Sequence, residues 1–339
     1  MPYREAQWWQ HDKKSGRIVC HLCPHGCRLS EGQTGLCRIR RREGERLLSL
    51  NYGHPTGFAI DPIEKKPLYH FLPGTQILSF GTLGCTLGCS FCQNWSLSHP
   101  ESTDIDLPFT PAEEVVALAT QKATRAIAYT YNEPVSFGEY LIDCARLARE
   151  RGLLNVAVTN GYVQPDARRE IFAAIDAANV DLKGFSDDFY KHQAQGRLEP
   201  VLDTIRWIKH ETNIWLELTT LLIPGLNDAS DMLAREFEWI LAELGPDVPL
   251  HLSAFHPSFR LLDVPPTTPA RVAAARRQAL EHGLRYVYTG NVRDADGAQT
   301  LCPACGAVVI ERDWLAPHRL RLTDGRCEHC KERLAGVFS

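Results

Sequence analysis

Cysteine is the residue type whose spacing in this sequence points most directly to chemistry. The chain has 339 residues and 12 cysteines, and all of them except Cys144 fall into three tight groups. Two-residue spacings between cysteines, in a long chain that does not open on a signal peptide, are more typical of metal sites in a reducing compartment than of a disulfide scaffold. The cysteines therefore predict metal centres and a cytoplasmic protein, whereas Cys144 is expected to pack as a small buried hydrophobe.

The central group consists of Cys85, Cys89 and Cys92, and it follows an apolar run directly. Three thiolates on a cubane iron–sulfur cluster leave one iron without a protein ligand, and that iron can bind a chelating substrate. Glycines in the loop would let the backbone wrap closely around such a cluster. The alternative, a zinc or structural cysteine loop, would need a fourth ligand in the same neighbourhood.

The N-terminal group consists of Cys20, Cys23, Cys27 and Cys37, with two histidines between them as spare nitrogen donors. Four thiolates complete either a tetrahedral zinc site or a closed [4Fe–4S] cluster. The sequence leaves both identities open. A second cluster would indicate an electron relay, whereas zinc would indicate a structural lid.

The C-terminal group consists of two CxxC pairs, Cys302 with Cys305 and Cys327 with Cys330. A pair of such knuckles on two hairpins predicts a zinc-ribbon-like module, and a rubredoxin-like iron site is the second interpretation. Either metal is expected to stabilise this short segment, which has too little apolar sequence to fold without one.

The segment between the outer cysteine groups alternates short apolar runs with amphipathic stretches. Thr110, Ser136 and Thr268 offer side chains that could begin three of the helices. Runs recurring at this interval predict βα units with right-handed crossovers, and hence a parallel sheet covered by helices. We therefore expect an α/β protein with a partial six-stranded (βα) barrel and accessory strands, and reactive groups at the carboxyl ends of its strands. The runs are 77–83, 126–131, 154–158, 180–182, 214–222, 249–255 and 285–288.

Composition bounds the function further. The formal net charge is −4 and hydrophobic residues make up 44% of the chain, which disfavours nucleic acid as a partner and excludes a largely disordered chain. No run of apolar residues is long enough to predict a membrane span.

Three segments are predicted: an N-terminal four-cysteine metal-binding module over 1–75, a core over 76–292 and a C-terminal metal module over 293–339.

The CxxxCxxC loop, with Phe91 before its last cysteine, resembles the signature of the radical S-adenosylmethionine (radical SAM) superfamily. The resemblance implies that Cys85, Cys89 and Cys92 hold a [4Fe–4S] cluster and that Phe91 packs beside the adenine of S-adenosylmethionine. After the second run, Tyr129–Pro134 stands where the superfamily usually has Gly-Gly-Glu-Pro. Asn132 and Glu133 are therefore the candidates for holding the ammonium group, although both glycines are missing.

Later motifs resemble the glycyl-radical-enzyme activating enzymes, such as the pyruvate formate-lyase activating enzyme. Thr159-Asn160-Gly161 and Asp181-Leu182-Lys183 match two of their motifs, with Val158 in place of an aspartate. The resemblance implies that Asn160, Asp181 and Lys183 help to hold the methionine carboxylate. Residues 221–228 resemble a turn that lies beside the adenosine in the family. His256 follows the sixth run and is either a contact of the nucleoside or an ordinary loop histidine.

At the subfamily level, Cys20–Cys27 with Cys37, the sequence Tyr131–Pro134 and the closing Tyr288–Val292 resemble the radical SAM enzymes of the AmmeMemoRadiSam system. This resemblance implies Memo-like and AMMECR-like proteins as partners and a one-electron donor such as flavodoxin or ferredoxin. The function it implies is reductive cleavage of S-adenosylmethionine to a 5′-deoxyadenosyl radical, which abstracts hydrogen from a protein or peptide. The alternative is a non-catalytic iron- or zinc-handling assembly module that works with the same partners.

Overall fold

The computed structural model describes residues 3–101, 106–313 and 315–339. The N-terminal part forms two small antiparallel sheets, with strand orders β1-β6-β5 and β2-β3-β4. The hairpin of β3 and β4 brings Cys20 and Cys27 together, because the Cys20 N–H donates to the Cys27 carbonyl at 2.9 Å. The strands are β1 (Arg4–Glu5), β2 (Trp9–Asp12), β3 (Arg17–Cys20), β4 (Arg28–Leu29), β5 (Arg40–Glu43) and β6 (Arg46–Ser49).

The centre of the molecule is an eight-stranded sheet, in which the strands lie side by side in chain order. Strands β8 to β14 pair in parallel, and β7 pairs with β8 in the antiparallel sense. The order of these parallel strands never reverses along the sheet, unlike that of a doubly wound sheet. The strands are β7 (Thr56–Pro62), β8 (Gln76–Gly81), β9 (Ala126–Tyr129), β10 (Leu154–Thr159), β11 (Ala177–Asp181), β12 (Trp215–Leu222), β13 (Leu250–Ala254) and β14 (Val287–Gly290).

The predicted α/β class and the parallel sheet are confirmed, and each predicted apolar run overlaps one strand. The match arises because strands covered on both faces are apolar throughout, as in β9, where every residue is buried. One strand was missed: β7 carries exposed and half-buried residues and shows no apolar run. It lies within the predicted segment 1–75, so that segment contributes a strand to the central sheet. The segment boundaries themselves stay a prediction.

Helices connect the parallel strands. One predicted helix start is confirmed, since the Thr268 side chain accepts a hydrogen bond from the Arg271 N–H at 3.2 Å. The other two are wrong, because neither Thr110 nor Ser136 is the N-cap residue of the helix that follows. The helices are α1 (Trp95–Ser98), α2 (Ala112–Gln121), α3 (Gly138–Glu150), α4 (Pro165–Ile171), α5 (Asp187–Phe189), α6 (Glu199–Glu211), α7 (Ser230–Leu244), α8 (Pro269–Glu281) and α9 (Ala295–Ala298).

The C-terminal part packs against the amino-terminal side of the sheet. The Val337 N–H donates to the His70 carbonyl at 2.7 Å, and the buried Arg312 guanidinium donates to the Tyr69 carbonyl at 2.8 Å. No helix in the described part of the chain is both long and apolar enough to cross a membrane. The remaining strands are β15 (Thr300–Leu301), β16 (Val308–Asp313), β17 (Ala316–Leu320), β18 (Leu322–Thr323) and β19 (Arg326–Cys327).

Candidate active site

A cavity of about 260 Å³ opens at the carboxyl ends of the parallel strands. The three cysteines of the loop after β8 line it, together with polar side chains that follow β9, β10 and β11. Parallel strands end at one edge of the sheet, which is why residues far apart in sequence meet there. The sequence-predicted residues that line this cavity are Cys85, Cys89, Phe91, Cys92, Asn132, Glu133, Asn160, Asp181 and Lys183.

The cysteine loop is held by backbone hydrogen bonds from neighbouring segments. The Gly88 N–H donates to the Ala194 carbonyl at 2.9 Å, and the Ser90 N–H donates to the Gln193 carbonyl at 2.8 Å. Gly84 has a φ of +90°, and a Cβ there would lie 2.6 Å from the Cys37 carbonyl oxygen. Glycine is therefore required at 84, both for its left-handed backbone and because the N-terminal module approaches so closely.

Asn132 fastens the end of β9 to this loop. Its Oδ1 accepts from the Thr82 N–H at 3.0 Å, and its Nδ2 donates to the Gly84 carbonyl at 2.8 Å. Both ends of the amide are thus engaged with the segment that leads into Cys85. The resemblance indicated Asn132 as a candidate for holding the ammonium group, but it did not indicate that the side chain positions the cysteine loop.

Glu133 lies beneath the cavity and joins β9 to β10. Its carboxylate accepts from the Val135 N–H at 3.0 Å, the Thr159 hydroxyl at 2.6 Å and the Asn160 N–H at 2.7 Å. Burial raises the pKa of Glu133 to about 7, and these three donors oppose that rise because they favour the charged form. A cationic group placed in the cavity would favour the carboxylate further.

Asp181 and Lys183 form an ion pair at the end of β11, with Nζ and Oδ2 2.6 Å apart. Burial disfavours the charged form of Lys183, but the Asp181 carboxylate and the Cys89 thiol outweigh it and raise the lysine pKa above its ordinary value. The turn after β12 supports this pair, since the Asn227 Nδ2 donates to the Lys183 carbonyl at 2.8 Å. A fixed cation therefore lies close to the cysteine loop.

The thiols themselves are buried. Burial raises the pKa of Cys85, and it raises the pKa of Cys89 to about 12 although Lys183 opposes the rise. The Leu87 N–H and the Asn160 amide both lie within hydrogen-bond distance of the Cys85 sulfur, at 3.4 and 3.6 Å. Buried thiols lose their protons when a metal binds them, and these donors together with Lys183 would then stabilise the thiolates.

Phe91 and His256, the two candidates for contact with the nucleoside, lie in different places. Phe91 is buried, lines the cavity and packs against Phe189 with ring centroids 5.8 Å apart. His256 is exposed and does not line the cavity, so the structure does not bring it together with the other candidates.

Several cavity residues were not singled out from the sequence. They include Asn94, Tyr131, Thr219, Ser253 and Asn291. Three of them lie in or just after the later strands β12, β13 and β14, so a polar residue inside or just after each apolar run was the available signal. Tyr131 has a φ of +69°, and its carbonyl accepts from the Asn94 amide at 2.7 Å.

The segment that carries the first three N-terminal cysteines contacts both the cysteine loop and the segment after β10. The His25 ring nitrogen Nε2 lies 2.9 Å from the Thr86 carbonyl oxygen, and the Gln164 N–H donates to the Leu22 carbonyl at 3.0 Å. Cys20, Cys23 and Cys37 are buried, and burial raises the pKa of Cys37 to about 11.

The C-terminal cysteines form a compact group. The sulfur atoms of Cys302, Cys305, Cys327 and Cys330 all lie within 4.8 Å of one another, and two of the pairs are 3.5 and 3.8 Å apart. Sulfurs bound tetrahedrally to one ion at about 2.3 Å would be separated by about 3.8 Å. Backbone N–H groups of Cys330 and His329 lower the pKa of Cys327 to about 7. The group could therefore hold a single metal ion.

Comparison with known proteins gives a consistent result. The family model described as "Radical SAM superfamily" matches residues 80–237. An uncharacterized protein of Methanocaldococcus jannaschii, MJ0808, is 40% identical over 333 residues, which cover 98% of each chain.

Solved structures share the fold at low sequence identity. A radical SAM methyltransferase from Sphaerobacter thermophilus is 17% identical and superposes with a TM-score of 0.52, covering 70% of this chain and 71% of its own. Streptococcus suis SuiB bound to S-adenosylmethionine is 12% identical, with a TM-score of 0.50, covering 68% of this chain and 53% of its own. The family match shows that residues 80–237 form a radical SAM domain and that this chain belongs to the radical SAM superfamily of enzymes, which implies a [4Fe–4S] cluster and S-adenosylmethionine as cofactors.

Proposed function

We propose that the loop cysteines hold the [4Fe–4S] cluster in the cavity of about 260 Å³, and that S-adenosylmethionine binds beside it and is cleaved reductively. One observation carries this assignment: Cys85, Cys89 and Cys92 line the same cavity as the polar ends of three neighbouring strands. The donor set fits the cofactor, since three thiols without a fourth suit a cluster that keeps one iron open. When bound, that cluster supplies the open iron and the electron that convert S-adenosylmethionine to methionine and a 5′-deoxyadenosyl radical.

The cavity residues have separable tasks in this proposal. Glu133 compensates the substrate ammonium, because its buried carboxylate gains most when a cation lies near it. Lys183 faces the substrate carboxylate and the thiolates, and Asp181 holds it in position through their 2.6 Å contact. Asn160 donates towards the Cys85 sulfur. Asn132 positions the loop, and the buried Phe91 provides an apolar wall for the adenine. Packed walls also exclude water, which protects a reactive radical.

A protein or peptide is the proposed hydrogen donor, on the basis of the motifs shared with glycyl-radical activating enzymes at residues 159–161 and 181–183. The proposed partners are a Memo-like protein, an AMMECR-like protein and a one-electron donor such as flavodoxin or ferredoxin. The N-terminal similarity to enzymes of the AmmeMemoRadiSam system supports the first two. Zinc is the proposed ion of the C-terminal group, because its sulfur separations fit one tetrahedral ion.

The decisive experiment measures 5′-deoxyadenosine. The protein is purified without oxygen, reconstituted with iron and sulfide, reduced, and supplied with S-adenosylmethionine, beside a variant in which Cys85, Cys89 and Cys92 are all changed to Ala. We expect product from the parent and none from the variant. Cys144→Ala, which removes a buried thiol outside the three groups, is the matched control and should retain activity.

Absence of product from a fully loaded and reduced protein would contradict the proposal, provided that it persists when the candidate partner proteins are added. That result would favour the non-catalytic, metal-handling alternative. Product that forms only in the presence of one partner would identify that partner as the substrate or as an activator.

A further inference from the structure

The four N-terminal cysteines form one group in space. Cys23 interacts electrostatically with Cys20, Cys27 and Cys37, and Cys37 interacts with Cys20 and Cys27. The β3–β4 hairpin closes the first three together, through the bond from the Cys20 N–H to the Cys27 carbonyl and a second from the Gly26 N–H to the Cys23 carbonyl at 3.2 Å. Three of the four thiols are buried. Four thiols grouped in this way are more typical of a metal-binding site than of cysteines that pack separately in a hydrophobic core.

The separation of these sulfurs differs from that of the C-terminal group. In the described part of the chain, metal-ligating atoms gather within 4.8 Å of one another at Cys302, Cys305, Cys327 and Cys330, and the N-terminal thiols do not reach that proximity. The loop thiols, which the superfamily uses for a cubane cluster, do not reach it either. A cubane places each thiolate on a different iron, so its sulfurs lie farther apart than the roughly 3.8 Å around one tetrahedral ion.

Gly35 lies against two of the four thiols. An ideal Cβ at Gly35 would lie 3.6 Å from the Cys27 sulfur and 3.7 Å from the Cys37 sulfur, which are ordinary contact distances. The backbone of Gly35 is not left-handed, so neither conformation nor crowding requires a glycine there. The Cys27 and Cys37 sulfurs therefore lie beside the same residue, which places Cys37 with the three cysteines of the hairpin.

A buried cation compensates the charge of this group. The Arg40 side chain is 1% exposed and attracts the thiolate forms of Cys20 and Cys37. Its pairing with Glu139 is incomplete, because the Arg40 Nε and the Glu139 Oε2 are buried without hydrogen-bond partners among the described residues. A closed cluster with four thiolate ligands carries net negative charge, and a buried guanidinium lowers the cost of enclosing it.

We infer that Cys20, Cys23, Cys27 and Cys37 hold a second, closed [4Fe–4S] cluster, separate from the one on the active-site loop. The inference is independent of S-adenosylmethionine cleavage, since it concerns only the four ligands and their separation. Its position beside the loop is set by the contact of His25 with the Thr86 carbonyl oxygen at 2.9 Å.

The test uses the full chain with Cys85, Cys89 and Cys92 changed to Ala, which removes the ligands of the first cluster. After anaerobic reconstitution, iron, acid-labile sulfide and zinc are counted per chain, and the iron is examined by Mössbauer spectroscopy. We expect about four irons and four sulfides to remain, with the spectrum of a cubane cluster. Because a rubredoxin-like iron at the C-terminal group would bring no sulfide, the sulfide count separates the two sites.

Zinc at a second site with no sulfide would overturn the inference, and so would iron without sulfide. Adding Cys23→Ala and Cys27→Ala together to the triple variant should remove most of the sulfide, because three thiolates can still hold a cubane cluster but the two that remain cannot. Adding Cys305→Ala instead is the matched control and should leave the sulfide content unchanged. Circular dichroism of both variants checks folding, and sulfide retained in a folded variant that lacks both Cys23 and Cys27 would contradict the inference.

Discussion

The N-terminal and C-terminal cysteine groups contain the same four side chains in two different environments. The C-terminal sulfurs lie within 4.8 Å of one another, and Cys305 and Cys330 are exposed. The N-terminal sulfurs are more widely spaced, mostly buried, and packed beside the active-site loop and a buried arginine. The difference teaches that the number of cysteines predicts a metal site, whereas sulfur separation and surroundings indicate which metal group it suits.

The largest expected difference between the groups follows metal removal. A zinc chelator should unfold the segment 300–334, because apparent binding energies of structural zinc are about 10–16 kcal/mol and this segment has only a small apolar cluster of its own. Hydrogen–deuterium exchange should show loss of protection in β16 to β19, with the central sheet unchanged. An equal loss of protection in residues 17–50 after the same chelator treatment would contradict the expected difference between the two cysteine groups.

Arg40 provides the next largest effect. Arg40→Met leaves the buried Glu139 carboxylate unpaired, and we expect it to lower the free energy of unfolding by about 3–5 kcal/mol. Adding Glu139→Met should recover much of this loss. Urea denaturation measures all three proteins. The matched change near the C-terminal group is Arg321→Met, whose partly exposed pair with Glu311 should contribute about 1 kcal/mol or less. Equal losses from Arg40→Met and Arg321→Met would contradict the assigned difference.

Substitution of two glycines, one near each cysteine group, should have smaller effects on stability. Gly306 has a φ of +71° in open space, so Gly306→Ala should cost about 1–2 kcal/mol of backbone strain and weaken zinc retention in a chelator competition. Gly306→Asn should be milder, since asparagine tolerates this conformation. Gly35→Ala should leave the melting temperature unchanged, because Gly35 has no left-handed backbone and a Cβ there would make only ordinary contacts with the Cys27 and Cys37 sulfurs. A loss of stability from Gly35→Ala, together with no loss from Gly306→Ala, would contradict these expectations.

The smallest effect concerns the contact between the N-terminal module and the active site. His25→Ala removes the interaction with the Thr86 carbonyl, and a hydrogen bond of about 1 kcal/mol predicts a loss of about fivefold in the rate of 5′-deoxyadenosine formation. Cys305→Ala should leave that rate unchanged, because the C-terminal group does not line the cavity. A larger loss of rate from Cys305→Ala than from His25→Ala would contradict the expectation that the N-terminal module, and not the C-terminal module, supports the active site.

Much of the fold could be predicted because its signals are local. Buried parallel strands are apolar along their length, and each of β8 to β14 therefore overlaps a run that is visible in the sequence. Strand β7 could not be found, because an edge strand with exposed residues carries no such run. Thr110 and Ser136 have the right type and spacing for helix caps, but Pro111 is the residue before α2, and Ser136 lies inside a 3-10 turn over Pro134–Phe137 that Glu133 caps and that runs directly into α3.

For the site, the sequence by itself determined the ligand types, the open three-cysteine loop and the family. These depend on spacings of a few residues, which fix turns and side-chain chemistry wherever the segment lies. Only the tertiary structure placed Asn132 against the loop, left His256 outside the cavity, and set the sulfur separations of the two four-cysteine groups. Each of these depends on how distant elements pack, because short-range spacing fixes the direction of a side chain but not the distance to a partner on another strand.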